Sequence, residues 1–231
     1  MRYRAASALG TLLSYVMVAG VSPAAAEESR PESTLSLEVL LTVAPSLPEA
    51  ARAPFLDEVT AIWKSQGVKI EWLSTTEWLC PTANRTRGGR LRILVFPTSQ
   101  SAHSERNALP VAELLRPESG HAVAIAYISA AKRIVENARP RFPPLTVLDH
   151  YRLGLVLGRA VAHEIGHYLL DTHTHARRGL MRSRFDSREF SDLRPGAFAL
   201  DRDAAQWLKE RFLRQAEVAH VAQPARFSYA Q

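Results

Sequence analysis

A single cysteine, Cys80, stands in 231 residues, so no intramolecular disulfide can brace the fold. Lysine is nearly as scarce. It occurs at Lys64, Lys69, Lys132 and Lys209, and the rest of the basic excess behind the formal net charge of +6 is arginine scattered along the chain. No aromatic-interleaved basic patch and no nucleic-acid motif accompanies it, which argues against nucleic acid as a partner. No internal repeat is present. The one long apolar run, Ala5 to Val21, is interrupted by Ser7, Gly10, Ser14 and Gly20. That suits a removable segment better than permanent membrane insertion.

The run follows Met1-Arg2-Tyr3-Arg4 and leads into Ser22-Pro23-Ala24-Ala25-Ala26 before Glu27. A positive start, an apolar centre and an Ala-x-Ala ending form a secretory signal peptide over residues 1–26, with cleavage after Ala26. No cysteine closes the run, so nothing points to a lipidated amino terminus. The product is expected to be secreted or periplasmic, monomeric, and near +4 in charge once Arg2 and Arg4 have left. What remains suffices for one domain with a sizeable core, expected over 27–215, followed by a tail over 216–231. Cys80, beside Pro81, reads as a partly buried loop residue rather than a ligand.

Leu35 to Val43 reads as a strand. Glu49 to Gln66 has Phe55, Val59, Ile62 and Trp63 at helical spacing with Gly67 as a stop, and Val68 to Leu73 follows as a second strand. Ser74 to Gly89 carries turn residues and reads as a loop, in which Asn84-Arg85-Thr86 fits a glycosylation sequon. Leu91 to Phe96 is a third strand. A short helix is expected at Val111 to Leu115, a further strand over His121 to Ser129, and a proline-rich connector over Asn137 to Pro144. Val147, Tyr151, Leu155 and Val161-Ala162 open a long helix, with Gly154 and Gly158 placed for close approach to a sheet. Leu200, Ala204, Trp207, Leu208 and Phe212 line one side of a terminal helix expected to pack behind it.

The chemistry concentrates in His163-Glu164-Ile165-Gly166-His167-Tyr168-Leu169-Leu170-Asp171-Thr172-His173-Thr174-His175. His163 and His167 form an HExxH zinc motif: residues four apart on a helix lie about 40° apart around its axis, so both rings can grip one Zn2+ ion. Glu164 lies to the side of the pair, where a carboxylate can take the proton of a metal-bound water. His173 and His175 are further candidate ligands. A carboxylate in place of the third histidine would be Glu189. A second alternative is a zinc-stabilised exported binding domain that could use His163, His167, His173 and His175 as a structural site and cleaves nothing.

His163, Glu164, His167 and His173, with Gly179-Leu180-Met181 eight residues beyond His173, resemble the metzincin clan of zinc metallopeptidases, patterned HExxHxxGxxH before a methionine turn. The resemblance is specific over His163 to Met181. It implies an α+β, zincin-like fold: a mixed twisted sheet of four or five strands, a backing helix, the HExxH helix and a C-terminal helix. It implies an exported zinc metalloendopeptidase acting on peptide or protein substrates, with Glu164 as the base and Met181 as an apolar floor under the metal. His121 to Ser129 would supply the edge strand for an extended peptide. No tyrosine follows the turn, leaving Arg182 or Arg184 as candidates to assist the oxyanion. One departure matters. Leu170 stands where the clan has its turning glycine, and leucine does not enter a left-handed conformation cheaply. The reversal is then expected later, which favours His175 over His173 as third ligand.

Overall fold

The computed structural model describes residues 35–79, 89–98, 110–138, 146–194 and 198–221. The signal segment, Cys80, the Asn84 sequon and the last ten residues of the expected tail lie outside the described residues.

Five strands form one sheet: β1 (Leu35–Val43), β2 (Val68–Leu73), β3 (Arg90–Phe96), β4 (Ala112–Leu115) and β5 (Ala122–Tyr127), in spatial order β2-β1-β3-β5-β4. Four run parallel, and β4 closes one edge antiparallel to β5, with Glu113 opposite Ile125. Alternating burial of Leu91, Ile93 and Val95 along β3 marks the face that meets the core. Six helices complete the described chain: α1 (Glu49–Lys64), α2 (Thr75–Leu79), α3 (Ile128–Asn137), α4 (Val147–Leu170), α5 (Ser187–Phe190) and α6 (Arg202–Val221). The molecule is therefore α+β with a mixed five-stranded sheet, a backing helix, a long site helix and a C-terminal helix, as expected. Among the described residues no helix is long and apolar enough to cross a membrane.

Helix α4 places the site. It starts at a capping box, in which the Thr146 hydroxyl accepts from Asp149 N–H at 3.3 Å and the Asp149 carboxylate accepts from Thr146 N–H at 2.7 Å. From Leu153 to Leu170 every residue except His163 and Tyr168 is buried, so the helix is packed on nearly all sides. Gly154 and Gly158 do serve close approach, but to α1 rather than to the sheet. A Cβ at Gly154 would stand 2.3 Å from the Ala51 carbonyl oxygen, and one at Gly158 2.9 Å from that of Phe55. The same seam holds an ion pair between buried Arg159 and half-buried Glu58, Arg159 Nε to Glu58 Oε1 at 2.7 Å, with Arg159 Nη1 also donating to Phe190 O at 2.9 Å.

Several local expectations are corrected. Val111 to Leu115 is not a helix: a single uncapped turn is below the length at which helices are stable, and Ala112–Leu115 gains the ladder to β5 instead. The edge strand is therefore β4, not His121 to Ser129, whose strand is interior and stops at Tyr127. Ile128, Ala131 and Val135 have helical spacing and begin α3, which the alternation Ala126-Tyr127-Ile128 concealed. Within Ser74 to Gly89 a helical turn, α2, forms around Glu77, which accepts from Ser74 N–H at 2.7 Å. Val147 and Tyr151, counted as apolar positions of α4, are exposed. Helix α6 runs through position 215, and its Leu208 is buried.

Candidate metal centre

Both histidines of α4 are oriented by backbone carbonyls. His163 Nδ1 lies 2.7 Å from Leu180 O and His167 Nδ1 lies 2.8 Å from Thr172 O. A carbonyl oxygen only accepts, so each Nδ1 carries the proton, and each Nε2 is left with a lone pair. The two Nε2 atoms face each other at 3.0 Å. Two lone pairs at that distance repel unless a cation lies between them, and the orientation of both rings by the other nitrogen is the usual support of metal-binding histidines. Burial lowers the pKa of His163, and burial followed by the neighbouring His163 lowers that of His167 to about 4, so both are neutral imidazoles near pH 7.

Beyond α4 the chain reverses at Asp171, which is left-handed (φ 52, ψ 45). Asp171 N–H donates to Tyr168 O at 3.4 Å and Thr172 N–H to His167 O at 3.3 Å, the paired bonds of a Schellman ending. Asp171 Oδ1 is ion-paired with Arg116, which follows β4, and Asp171 Oδ2 lies 3.4 Å from Arg211 Nη1 of α6. The second guanidinium nitrogen of Arg116 donates to His167 O at 2.6 Å. Thr174 N–H then bonds Thr172 Oγ1 at 3.1 Å, and the returning strand brings the His175 ring to 5.3 Å from His163 and 5.0 Å from His167, centroid to centroid.

One ligand atom from each of His163, His167 and His175 lies within 4.8 Å of the others. His173 is outside this set, its ring stacked 6.5 Å from that of His167. Glu189, the alternative carboxylate, is ion-paired with Arg182, whose guanidinium also lies 4.3 Å over the Phe185 ring. Three imidazoles, each with a ligand atom within 4.8 Å of the others, form a donor set that fits zinc.

The turn below the histidines is closed by Ala176 N–H to Met181 O at 2.8 Å and anchored by Leu180 N–H to Ala199 O at 2.7 Å. Gly179 is left-handed (φ 72), and a Cβ there would also stand 2.5 Å from Ala199 O. Leu180 O receives His163 Nδ1, so this turn holds a candidate ligand directly. Met181 is buried, with its sulfur where a Cβ on Gly166 would be, 2.3 Å away. Gly166, between the two histidines of α4, thus admits Met181 against the helix.

Glu164 is buried beside the pair, and its pKa is raised to about 7, first by desolvation and then by the charge of Glu113. Glu113 sits on edge strand β4 and accepts a hydrogen bond from Tyr127 Oη. An open cleft of about 650 Å³ adjoins His175 and is lined by Leu170, Met181, Ala204 and Trp207 along with Asp201, Asp203 and Arg177. Sequence reasoning missed Arg116, Asp171, Glu113 and Tyr127. Thr146-x-x-Asp149 was a readable capping signal, whereas the contacts of Arg116 span 51 and 55 residues and carry no local pattern.

No protein-family model matches the chain, and no curated protein matches it. Among solved structures it is similar to archaemetzincin from Methanopyrus kandleri, with 12% identity and a TM-score of 0.45 over 80% of this chain and 99% of that one.

Proposed function

We propose that this chain is a zinc-dependent metalloendopeptidase that hydrolyses peptide bonds with Glu164 as general base. The observation that carries the reading is the convergence of His163, His167 and His175 on one point, with the two helical Nε2 atoms 3.0 Å apart beside a buried carboxylate. Zinc held by these imidazoles supplies Lewis acidity and brings the pKa of water toward neutrality. Three converging histidines, with His173 set apart, favour a catalytic over a four-ligand structural site. Glu164, buried next to His163 on the same helix, takes a proton from water and returns it to the departing amine. Leu180 O and Thr172 O keep both ring orientations fixed while this proton moves.

The substrate side of the proposal rests on β4. An extended peptide adds to a sheet edge through main-chain hydrogen bonds. Strand β4 is such an edge, and its Glu113 is close enough to Glu164 to act on it electrostatically. Pairing along a strand edge engages the backbone of an extended peptide rather than its terminus, which suits cleavage within a peptide. Export, to a secreted or periplasmic location, is proposed from the first 26 residues alone.

The test is zinc content together with cleavage of a broad peptide library by purified protein. About one zinc per chain and internal cleavage are expected. Bound zinc without any cleavage would turn the reading to a zinc-stabilised binding domain, and absence of zinc binding would end it.

A further inference from the structure

Asp171 is the one non-glycine residue with positive φ among the described residues. Left-handed backbone is strained for any residue with a Cβ, and least so for Asp and Asn, so the conformation persists only where its surroundings hold it. Here the surroundings are two arginines from elements far apart in the chain. Arg116 and Arg211 meet opposite oxygens of the one carboxylate, and Arg116 also bonds the carbonyl of His167, which caps the helix through Thr172 N–H. The reversal is thus tied to edge strand β4 and to α6. Four residues later comes His175.

We propose that Asp171, clamped by Arg116 and Arg211, is the positioning residue that delivers His175 to the metal site, replacing with ion pairs the turning glycine that Leu170 has displaced. This inference rests on the zinc reading of the site. A surface ion pair contributes little by itself. The clamp differs in that it selects a backbone conformation, and only that conformation returns the chain toward His163. Without it the loop relaxes and zinc must gather its third ligand from an ensemble.

The experiment uses the full chain and measures zinc affinity by competition with a chromophoric chelator, the cobalt(II) absorption spectrum, and unfolding of the zinc-free protein. Asp171→Ala is expected to bind zinc about fivefold more weakly or worse, with a cobalt spectrum that reports a lost ligand. Asp171→Gly, which turns left-handed without help, is expected to stay within about twofold of the parent. Arg116→Ala is expected to weaken binding, and adding Asp171→Gly to restore it, a comparison that stands even if Asp171→Ala does not fold. Parental affinity in Asp171→Ala overturns the proposal, as does equal loss in Asp171→Gly. A lower unfolding temperature with unchanged affinity assigns Asp171 a structural role only and also overturns it. If the parent itself binds no zinc, the functional reading fails separately. The positioning is then judged in the metal-free protein by nuclear Overhauser contacts between the His163 and His175 rings: lost in Asp171→Ala and kept in Asp171→Gly supports it, and kept in both overturns it.

Discussion

The Nε2 atoms of His163 and His167 face each other across 3.0 Å, while the opposite nitrogen of each ring is committed to a backbone carbonyl. Neither ring can turn away without giving up a partly buried hydrogen bond, so the pair is set for a cation before one arrives. His175 completes the set from a loop and His173 does not. His175→Ala should therefore weaken zinc by at least about tenfold, equivalent to about 1.4 kcal/mol, and His173→Ala by clearly less. Chelator competition at fixed pH ranks them. The reverse ranking would move the third ligand to His173, and retention of parental affinity in the double variant would point to Glu189.

Glu164→Gln keeps the shape of the side chain and removes its basicity. The variant should bind zinc as the parent does and lose on the order of 10²- to 10⁴-fold in kcat, the usual contribution of a positioned base. Steady-state cleavage of a fluorogenic peptide, with metal content measured on the same sample, gives both numbers. Undiminished turnover would remove Glu164 from the mechanism.

Gly166 leaves room for Met181 under the site, since a Cβ there would stand 2.3 Å from the Met181 sulfur. Gly166→Ala should destabilise the protein by about 1–3 kcal/mol through overpacking against the Met181 sulfur. Shortening the same side chain by Met181→Ala should cost about 2–5 kcal/mol through the cavity it leaves. Because the added methyl occupies part of that cavity, the double variant should lose less than the sum of the two in urea unfolding. Strict additivity would show that the sulfur can move aside.

These residues also show what the sequence makes legible. HExxH is readable because helical periodicity turns a spacing of four into a shared face, and α1, β1 and β3 are readable because their burial repeats at helical or strand periods. Leu170 in the glycine position signalled a late reversal by steric argument alone. The means of that reversal was not readable: Arg116 and Arg211 lie 55 and 40 positions from Asp171, and no local preference connects them. Strand β4 is hidden in the sequence for the same kind of reason. Ala112-Glu113-Leu114-Leu115 contains good helix formers, and it is strand only because β5 offers it a ladder. The partly buried Arg159–Glu58 pair, 101 positions apart, is equally silent in the sequence.

That pair yields a stability prediction of its own. Arg159 is about 1% exposed and Glu58 16%, so removing one partner strands a charge inside the α1–α4 seam. Glu58→Gln or Arg159→Met alone should cost about 3–5 kcal/mol, whereas the paired replacement by apolar residues of similar volume should cost much less. Denaturant unfolding of the two single variants and the double variant forms the cycle. Equal losses in all three would mean that packing at α5 and at Phe198, whose ring centroid lies 4.3 Å from the Arg159 guanidinium carbon, controls the seam rather than the ion pair.

Zinc should also register as stability, because the three candidate ligands come from α4 and from the loop that follows it and are brought together only by folding. A ligand that binds the native state alone stabilises it by about 2.7 kcal/mol at one hundred times its dissociation constant. For a domain of this size that corresponds to an upward shift of roughly 5–10 °C in the unfolding midpoint. The shift should vanish with a chelator and in His163→Ala, which loses both a candidate ligand and the bond to Leu180 O that ties α4 to the methionine turn. It should persist in Glu164→Gln, whose histidines are intact. Scanning calorimetry of the three proteins with and without zinc therefore separates metal binding from chemistry. A zinc-dependent shift that survived in His163→Ala would place the ion somewhere other than on these three histidines.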